Sequence, residues 1–199
     1  NIIQGEKFVI YSNNEKINYI QKKNTIYIKD SKNLFKSKDD YKIDIIIPYE
    51  YIFNEVEIDT GSGFTSIDGM KTNKLELDFG AGKSEINNLE VIKNASISTG
   101  AGKTIIKNSI LTNSDIELGI GEFYYDGKLL VNNEIECGVG KTTINLNGLK
   151  EEYKIKVNSG IGKININDLK ISDGTVFGDG NNNIRIDGGI GIIDIKFNE

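Results

Sequence analysis

The stretch Cys137-Gly-Val-Gly-Lys-Thr-Thr-Ile-Asn145 decides the fold, although at first sight it looks like the end of a phosphate-binding loop. Such a loop has the pattern GxxxxGK[ST], in which the first glycine turns the chain out of a strand. Here the position five before Gly140 is Ile135, which cannot make that turn. The same glycine is missing from two further copies of the pattern, where Leu77 and Ile97 take its place. The sequence therefore argues against a nucleotide site and assigns the glycines to a repeat.

Pairs of glycines separated by one residue recur along the chain at a nearly constant interval. The gaps between successive pairs are 19, 20, 19, 19, 22 and 29 residues, which is the signature of a solenoid. The glycines are therefore predicted to be structural, and they define seven coils, numbered here in chain order. The pairs are Gly61 and Gly63, Gly80 and Gly82, Gly100 and Gly102, Gly119 and Gly121, Gly138 and Gly140, Gly160 and Gly162, and Gly189 and Gly191.

Alignment of the seven coils on their first glycine gives columns of uniform chemistry. The residue three positions before this glycine is aliphatic in every coil, and the residue six positions after it is apolar in every coil. Polar residues alternate with them, and a period of two indicates strands. Both apolar columns are therefore predicted to face a common core. They comprise Ile58, Leu77, Ile97, Ile116, Ile135, Val157 and Ile186, and Ile67, Ile86, Ile106, Tyr125, Ile144, Ile166 and Ile195.

Each glycine pair is predicted to form a corner of its coil. The residue between the two glycines is small or aliphatic, as at Ile120 and Val139, and is therefore predicted to point inward. After the second glycine the alternation slips by one residue, which predicts a bend or bulge where glycine's freedom at positive φ is useful. Further inward positions are predicted in the less regular half of each coil. These are Met70, Leu89, Ile110, Leu129, Leu149 and Leu169.

These patterns predict an all-β protein with a β-solenoid of about seven coils of 19 to 20 residues over residues 56–199. Equivalent strands of stacked coils would pair about 4.8 Å apart around a core filled by side chains. Residues 1–55 lack the glycine repeat but contain four strand-like segments, Phe8–Tyr11, Ile17–Ile20, Thr25–Ile28 and Tyr41–Ile47. A solenoid needs its first coil covered, so residues 1–55 are predicted to form an N-terminal β cap continuous with the rod.

Composition limits the chemistry that the chain can perform. It has 199 residues, no histidine, a single cysteine and a net charge of −5. The absence of histidine removes Ser–His and Cys–His pairs and ordinary zinc sites. The acidic balance argues against nucleic acid as a partner. The sequence therefore predicts a protein that is not an enzyme, with no catalytic residues, no metal and no other cofactor.

The longest insertion between two coils, Ser172 to Asn183, has some of the features of a calcium loop. Asp179, Asn181 and Asn183 show the alternate spacing of calcium ligands. If Asp179 is the first position of the loop, the sixth and twelfth positions are Ile184 and Ile190. An EF-hand needs glycine and glutamate at those two positions. The insertion is therefore predicted to be a turn rich in glycine and asparagine.

Two charged columns flank the glycines and are candidates for a binding surface. A basic column follows the second glycine at Lys83, Lys103, Lys141 and Lys163, and Glu122 interrupts it. One interpretation is that charged columns keep a β face soluble and discourage edge association. The alternative is that a flat polymer lies on the glycine backbone while the lysines bind its anionic groups and Tyr124 stacks on a sugar ring. The acidic column comprises Asp59, Asp78, Glu117, Glu136 and Asp187.

The chain resembles the DUF4097 family of bacterial envelope proteins in the order of these segments, and members of that family are described as adhesins. The resemblance rests on Ile43-Asp-Ile-Ile-Ile-Pro48, Val56-Glu-Ile-Asp-Thr-Gly-Ser-Gly63 and the repeated Gly-x-Gly units, over about residues 40 to 199. It implies a single-stranded, right-handed β-helix-like fold, export or membrane tethering, and a role in adhesion, and it implies no catalytic residues. Family members often carry aspartate after the second glycine, where this chain mostly has lysine.

Three classes of function follow as expectations. The first is a non-catalytic domain at the cell surface or envelope that binds an envelope polymer or protein. The second is a structural spacer or self-assembly module of an envelope-stress protein, with copies associating through the ends of the solenoid. The third is a carbohydrate-active β-helix enzyme, which the short coils and the single arginine, Arg185, disfavour. Because the sequence starts at Asn1 without methionine, a leader or anchor is expected to precede it in the full-length protein.

Overall fold

The described chain consists almost entirely of β-strands. A computed structural model describes residues 1–13, 17–30, 42–158 and 160–198. The chain divides into two compact units, Asn1–Tyr49 and Glu50–Glu199. The N-terminal β cap over residues 1–55 stays a prediction.

In the first unit, strand β5 (Ile43–Pro48) lies between β1 (Ile2–Gly5), which runs parallel to it, and β2 (Val9–Ser12), which runs antiparallel. Strands β3 (Ile17–Lys22) and β4 (Thr25–Asp30) form an antiparallel hairpin. The four predicted segments thus correspond to β2 to β5, and β1 is an additional strand. Tyr41, where the fourth predicted segment begins, lies outside the described residues.

The second unit is a β-solenoid, as the sequence predicts. Extended backbone continues through several corners without a break, so that one strand can include more than one coil. Equivalent residues of neighbouring coils pair in parallel, as Ala101 does with Ile120 and Ile120 with Val139. The elements are β6 (Ile52–Thr112), β7 (Ser114–Leu130), β8 (Asn132–Asn147), a 3-10 helix (Lys150–Glu152), β9 (Tyr153–Asn158), β10 (Ile161–Ile166), β11 (Leu169–Lys170), β12 (Val176–Phe177), β13 (Asn182–Asp187) and β14 (Ile190–Asn198).

The two predicted apolar columns form the core of the solenoid. In the column three residues before the glycine, every member after Ile58 is buried, and in the column six residues after it all seven members are buried. Tyr125 is fully buried, and its hydroxyl donates to the backbone carbonyls of Ser109 and Lys128 at 3.1 and 2.8 Å. This explains how a tyrosine replaces isoleucine in the column, since a buried hydroxyl needs hydrogen-bond partners.

The predictions for the less regular half of each coil were correct in part. Met70, Leu89 and Leu129 are buried, whereas Ile110, Leu149 and Leu169 are exposed. In coil 3 the inward residue is Leu111, because the register between β6 and β7 shifts between Ile106 and Ser109. Coil 3 has one more residue between Ile106 and Ser109 than coil 4 has between Tyr125 and Gly127, as in a bulge, and Asn108 has a positive φ of 50° there. Leu149 precedes the 3-10 helix, and Leu169 lies in an edge strand.

The coils are not stacked in chain order. Strand β14 of coil 7 pairs in parallel with β8 of coil 5 on one side and with β10 of coil 6 on the other. Strand β13 is placed in the same way between β8 and β9. Coil 7, the C-terminal coil, is therefore inserted between coils 5 and 6, and coil 6 is the last of the stack.

Side chains of coil 7 bond to both of its neighbours. Arg185 forms an ion pair with Glu134 of coil 5 at 3.5 Å. On the other side, Asp187 and Asp194 accept hydrogen bonds from Asn158 and Asn165 of coil 6 at 2.5 and 2.7 Å. These contacts stabilise coil 7 in the inserted position.

The connection between coils 6 and 7 covers part of the last coil. Its strand β11 pairs antiparallel with β10 at Asn165 and Ile166, and β12 pairs antiparallel with β9 at Ile155 and Lys156. An uncovered strand edge presents unpaired backbone groups that can pair with another chain. The inserted order therefore buries the C-terminal coil and leaves the connecting segment to cover the edge of coil 6.

Candidate functional site

The glycine corners of neighbouring coils approach so closely that a side chain cannot fit between them. A Cβ added to Gly121 would overlap the carbonyl group of Gly102, and Gly121 has a φ of +138°, which L side chains rarely adopt. An added Cβ would meet the neighbouring coil's backbone in the same way at both glycines of coils 2 to 7. The predicted structural role of these glycines therefore has a physical basis. At Gly61 and Gly63 of coil 1, no described atom lies within 4 Å of an added Cβ.

The residues between the paired glycines point outward, and the prediction that they point inward was wrong. Ile120, Val139, Ile190 and Ile161 are 64%, 45%, 53% and 74% exposed. The alternation slips at the first glycine, not after the second, so the middle residue shares the outward side with the lysine two positions later. Strand alternation counted back from the exposed lysines, in steps of two residues, would have predicted the outward direction. We call these four side chains, which lie on successive coils of the stack, the aliphatic ladder.

A groove runs along the glycine corners. Its volume is about 730 Å³, including space open to solvent, and residues of all seven coils line it. Much of its wall is glycine backbone, and the aliphatic ladder and the lysine column also contribute to it. The groove can therefore offer backbone, apolar and cationic groups to an elongated ligand.

The structure brings the four predicted lysines into one column, which we call the lysine column. All four are exposed, and the order along the stack is Lys83, Lys103, Glu122, Lys141, Ile192 and Lys163. The sequence shows Ile192 in this column, but its position between Lys141 and Lys163 results from the insertion of coil 7.

Three members of the lysine column form ion pairs. Lys83 bonds to Glu85 at 2.5 Å, Lys103 to Glu122 at 2.8 Å and Lys141 to Asp194 at 3.8 Å. The hydrogen bond from Lys103 holds the pKa of the Glu122 carboxyl below its usual value. Within the described chain Lys163 has no such partner. Exposed ion pairs of this kind contribute little stability, about 0 to 1 kcal/mol, so the ammonium groups remain available to an anionic ligand.

Tyr124 is half-buried and already engaged. Its hydroxyl donates to Asp126 at 3.3 Å and accepts from the Asn145 amide at 2.8 Å. The Lys107 ammonium lies 5.8 Å from the ring centroid. Burial, followed by the Asp126 carboxylate, raises the pKa of Tyr124. Tyr124 is therefore less open to a sugar ring than the sequence predicts.

Part of the acidic column meets the single arginine. Glu134, Glu136 and Asp187 have carboxylate oxygens within 4.8 Å of one another. Arg185 already pairs with Glu134 at 3.5 Å and with Asp187 at 2.8 Å. Arg185 thus neutralises part of the cluster, and its pair with Glu134 joins coils 5 and 7.

The single cysteine, Cys137, is half-buried beside the groove. The Thr142 hydroxyl donates a weak hydrogen bond to its Sγ atom at 3.5 Å, and burial raises the pKa of the thiol. We expect Cys137 to react with Ellman's reagent several-fold more slowly in the native protein than after unfolding in guanidinium, since thiolate is the reactive form. Equal rates in the native and unfolded states would contradict a native thiol with restricted reactivity.

The fold and the groove define the class of protein as a β-solenoid whose stacked Gly-x-Gly corners form an elongated surface groove. The chain belongs to the DUF4097 family, described as Toastrack, whose profile matches residues 4–185. The resemblance seen in the sequence is thereby confirmed.

A solved structure is also similar to the chain. It is described as a putative cell adhesion protein from Clostridium sporogenes ATCC 15579. The two share 17% sequence identity, with 99% of this chain and 87% of that chain covered and a TM-score of 0.38. No curated protein matches the chain. In its described part, no helix is long and apolar enough to span a membrane.

Proposed function

We propose that the protein is a non-catalytic, envelope-associated binding domain that holds an extended anionic polymer of the cell envelope along the glycine corners. The observation that carries the proposal is the groove, which continues over all seven coils. Membership of the DUF4097 family agrees with an envelope location. In the full-length protein we expect this domain to be exported or membrane-tethered at the cell surface.

The chemistry of the groove favours an elongated ligand over a small one. Its glycine backbone has no side chains that would stand between ligand and wall, so a flat chain can approach closely. The lysine column would bind anionic groups of the polymer, with Glu122 and Ile192 as its two interruptions. The aliphatic ladder would contact the apolar faces of the same chain. The proposal includes no catalytic step, and the absence of histidine from the chain agrees with this.

Co-sedimentation with isolated bacterial cell walls tests this proposal. The wild-type protein is expected to bind in a saturable manner. Replacement of Lys83, Lys103, Lys141 and Lys163 together by serine is expected to weaken binding roughly tenfold or more, which corresponds to at least about 1.4 kcal/mol. The same substitutions should leave the fold intact, because all four side chains are exposed.

A matched variant controls for the change in net charge. Lys71, Lys74, Lys93 and Lys128 do not line the groove, and their replacement by serine removes the same number of positive charges. This variant is expected to bind cell walls within about threefold of wild type, since no contact in the groove is lost. An equal loss in both variants, or no binding by the wild type, would overturn the proposal.

A further inference from the structure

The aliphatic ladder is an exposed apolar strip that no described residue covers. Its members occupy paired positions on coils 4, 5, 7 and 6, so their side chains leave the sheet on the same side. In coils 2 and 3 the same position holds Ala81 and Ala101, so the strip begins at coil 4. Ile192 of coil 7, which is 41% exposed, widens it. Adjoining exposed apolar groups of this kind are typical of an interaction surface.

The two ends of the ladder carry opposite charges. Among the described residues of coils 4, 5, 7 and 6 that line the groove, the charged ones are Glu122, Lys141 and Lys163. Glu122 lies at the coil 4 end and Lys163 at the coil 6 end, while Lys141 lies between them. Glu122 already pairs with Lys103 of coil 3, but a carboxylate can accept hydrogen bonds from more than one lysine. The acidic column does not line the groove.

We propose that two copies of the chain associate face to face through their aliphatic ladders, with the order of coils antiparallel. A two-fold axis that lies along the strand direction, between coils 5 and 7, places coil 4 of one copy against coil 6 of the other. Ile120 then faces the partner's Ile161, and Val139 faces the partner's Ile190. Such an interface is isologous, because both copies use the same patch. Each ladder buries the other.

The charges beside the ladder are complementary in this arrangement. The axis keeps the lysine column of one copy against that of the other, so Glu122 meets the partner's Lys163 at both ends of the interface. Lys141 meets the partner's Ile192 at both central positions. Lys163 has no ion pair within the described chain, and the second copy supplies one. Charge complementarity of this kind selects one register over others.

An antiparallel register that overlaps all seven coils matches less well. Coil 4 would then lie against coil 4, so that Glu122 meets the partner's Glu122. Coil 3 would lie against coil 5, so that Lys103 meets the partner's Lys141, and Ala101 would face the larger Val139. Like charges would therefore meet, and less apolar surface would be buried than when only coils 4, 5, 7 and 6 overlap.

This interface goes beyond the proposed function and does not depend on it, since no polymer takes part. It covers the groove on coils 4, 5, 7 and 6 and leaves Lys83 and Lys103 outside, so a second copy and a polymer would compete for these four coils. The strip is about 14 Å long, because neighbouring strands lie about 4.8 Å apart. It is smaller than the roughly 800 Å² per partner of a standard interface, so we expect a weak dimer with a dissociation constant of about 100 μM.

Sedimentation equilibrium of the full chain, without cell walls, tests the proposal at concentrations from about 10 μM to 1 mM. The wild type is expected to show a reversible monomer–dimer equilibrium. Ile120→Ser together with Ile161→Ser should weaken association about tenfold or more, because two pairs of facing side chains are lost. The matched control is Leu149→Ser with Leu169→Ser, which removes two exposed aliphatic side chains that do not line the groove. It should keep the dissociation constant within about threefold of wild type.

A charge exchange tests the antiparallel register. Lys163→Glu alone should weaken association about fivefold or more, because Glu122 would then meet a second carboxylate. Addition of Glu122→Lys should restore the dissociation constant to within about threefold of wild type, since opposite charges meet again and the net charge is unchanged. The thermal unfolding midpoint reports whether each variant keeps its fold.

Three results would overturn the proposal. They are a monomer at every concentration, a loss of association in the Leu149 and Leu169 control equal to that in the ladder variant, and no rescue of Lys163→Glu by Glu122→Lys. A failure to bind cell walls would count against the proposed function alone, because the dimer forms without a polymer.

Discussion

Gly119→Ala is expected to destabilise the solenoid by about 3 kcal/mol or more, at the upper end of what overpacking costs. An added Cβ would overlap the carbonyl groups of Gly100 and Thr99, both in the backbone of coil 3. Backbone cannot rotate away as a side chain can, so coils 3 and 4 would have to move apart and weaken the parallel pairing between them. The free energy of unfolding, measured by urea denaturation, checks this prediction.

Coil 1 supplies the matched control for Gly119→Ala. Gly61 occupies the same column, but no described atom lies within 4 Å of an added Cβ there. Its φ does not lie in the positive range that L side chains avoid, so alanine fits the backbone. Gly61→Ala is therefore expected to raise the free energy of unfolding slightly, by at most about 1 kcal/mol, because alanine restricts the unfolded chain. Similar losses at both positions would show that the close approach of the coils is not the cause.

Ile195→Ala is expected to reduce the free energy of unfolding by about 2 to 5 kcal/mol, the usual cost of truncating a buried isoleucine. Ile195 is 1% exposed, and it pairs in register with Ile144 of coil 5 and with Ile166 of coil 6. A residue near the C-terminal end of the sequence would ordinarily be expected to tolerate truncation well. The large effect follows from the inserted position of coil 7, which gives this side chain a neighbouring coil on both sides.

Leu169→Ala is the corresponding control on coil 6. Leu169 comes earlier in the chain but lies on the edge strand β11 and is largely exposed, so its truncation should change stability by no more than about 0.5 kcal/mol. Amide hydrogen exchange should agree, with slower exchange in β14 than in β10. A small effect of Ile195→Ala together with a large effect of Leu169→Ala would contradict the inserted order.

The sequence was sufficient to predict the repeat, the solenoid and most of its core. The reason is that each coil repeats the same local rule, in which aliphatic residues alternate with polar ones around a glycine corner. The columns that contain Ile97 and Ile106 were read directly from this periodicity, and both residues are fully buried. The column of the four lysines was predictable for the same reason.

Local deviations from the repeat were less predictable. Ile110 was expected to be inward, but the bulge after Ile106 makes Leu111 the buried residue. Ile120 was expected to be inward because it is aliphatic, yet it is exposed. At a glycine corner the backbone turns through conformations that do not follow strand alternation, so hydrophobicity alone did not give the direction of this side chain.

The amino-acid sequence by itself determined the two apolar columns that face the core, because alternation along a strand is a local property. Only the tertiary structure decided which coil lies beside which. Periodicity is the same for every order of equivalent coils, whereas the order is set by contacts between distant segments, such as Arg185 with Glu134 and Asn165 with Asp194. Insertion of coil 7 places Ile192 within the lysine column and leaves coil 6 at the end of the stack. The order of side chains in the lysine column therefore depends on long-range pairing that overrides chain order.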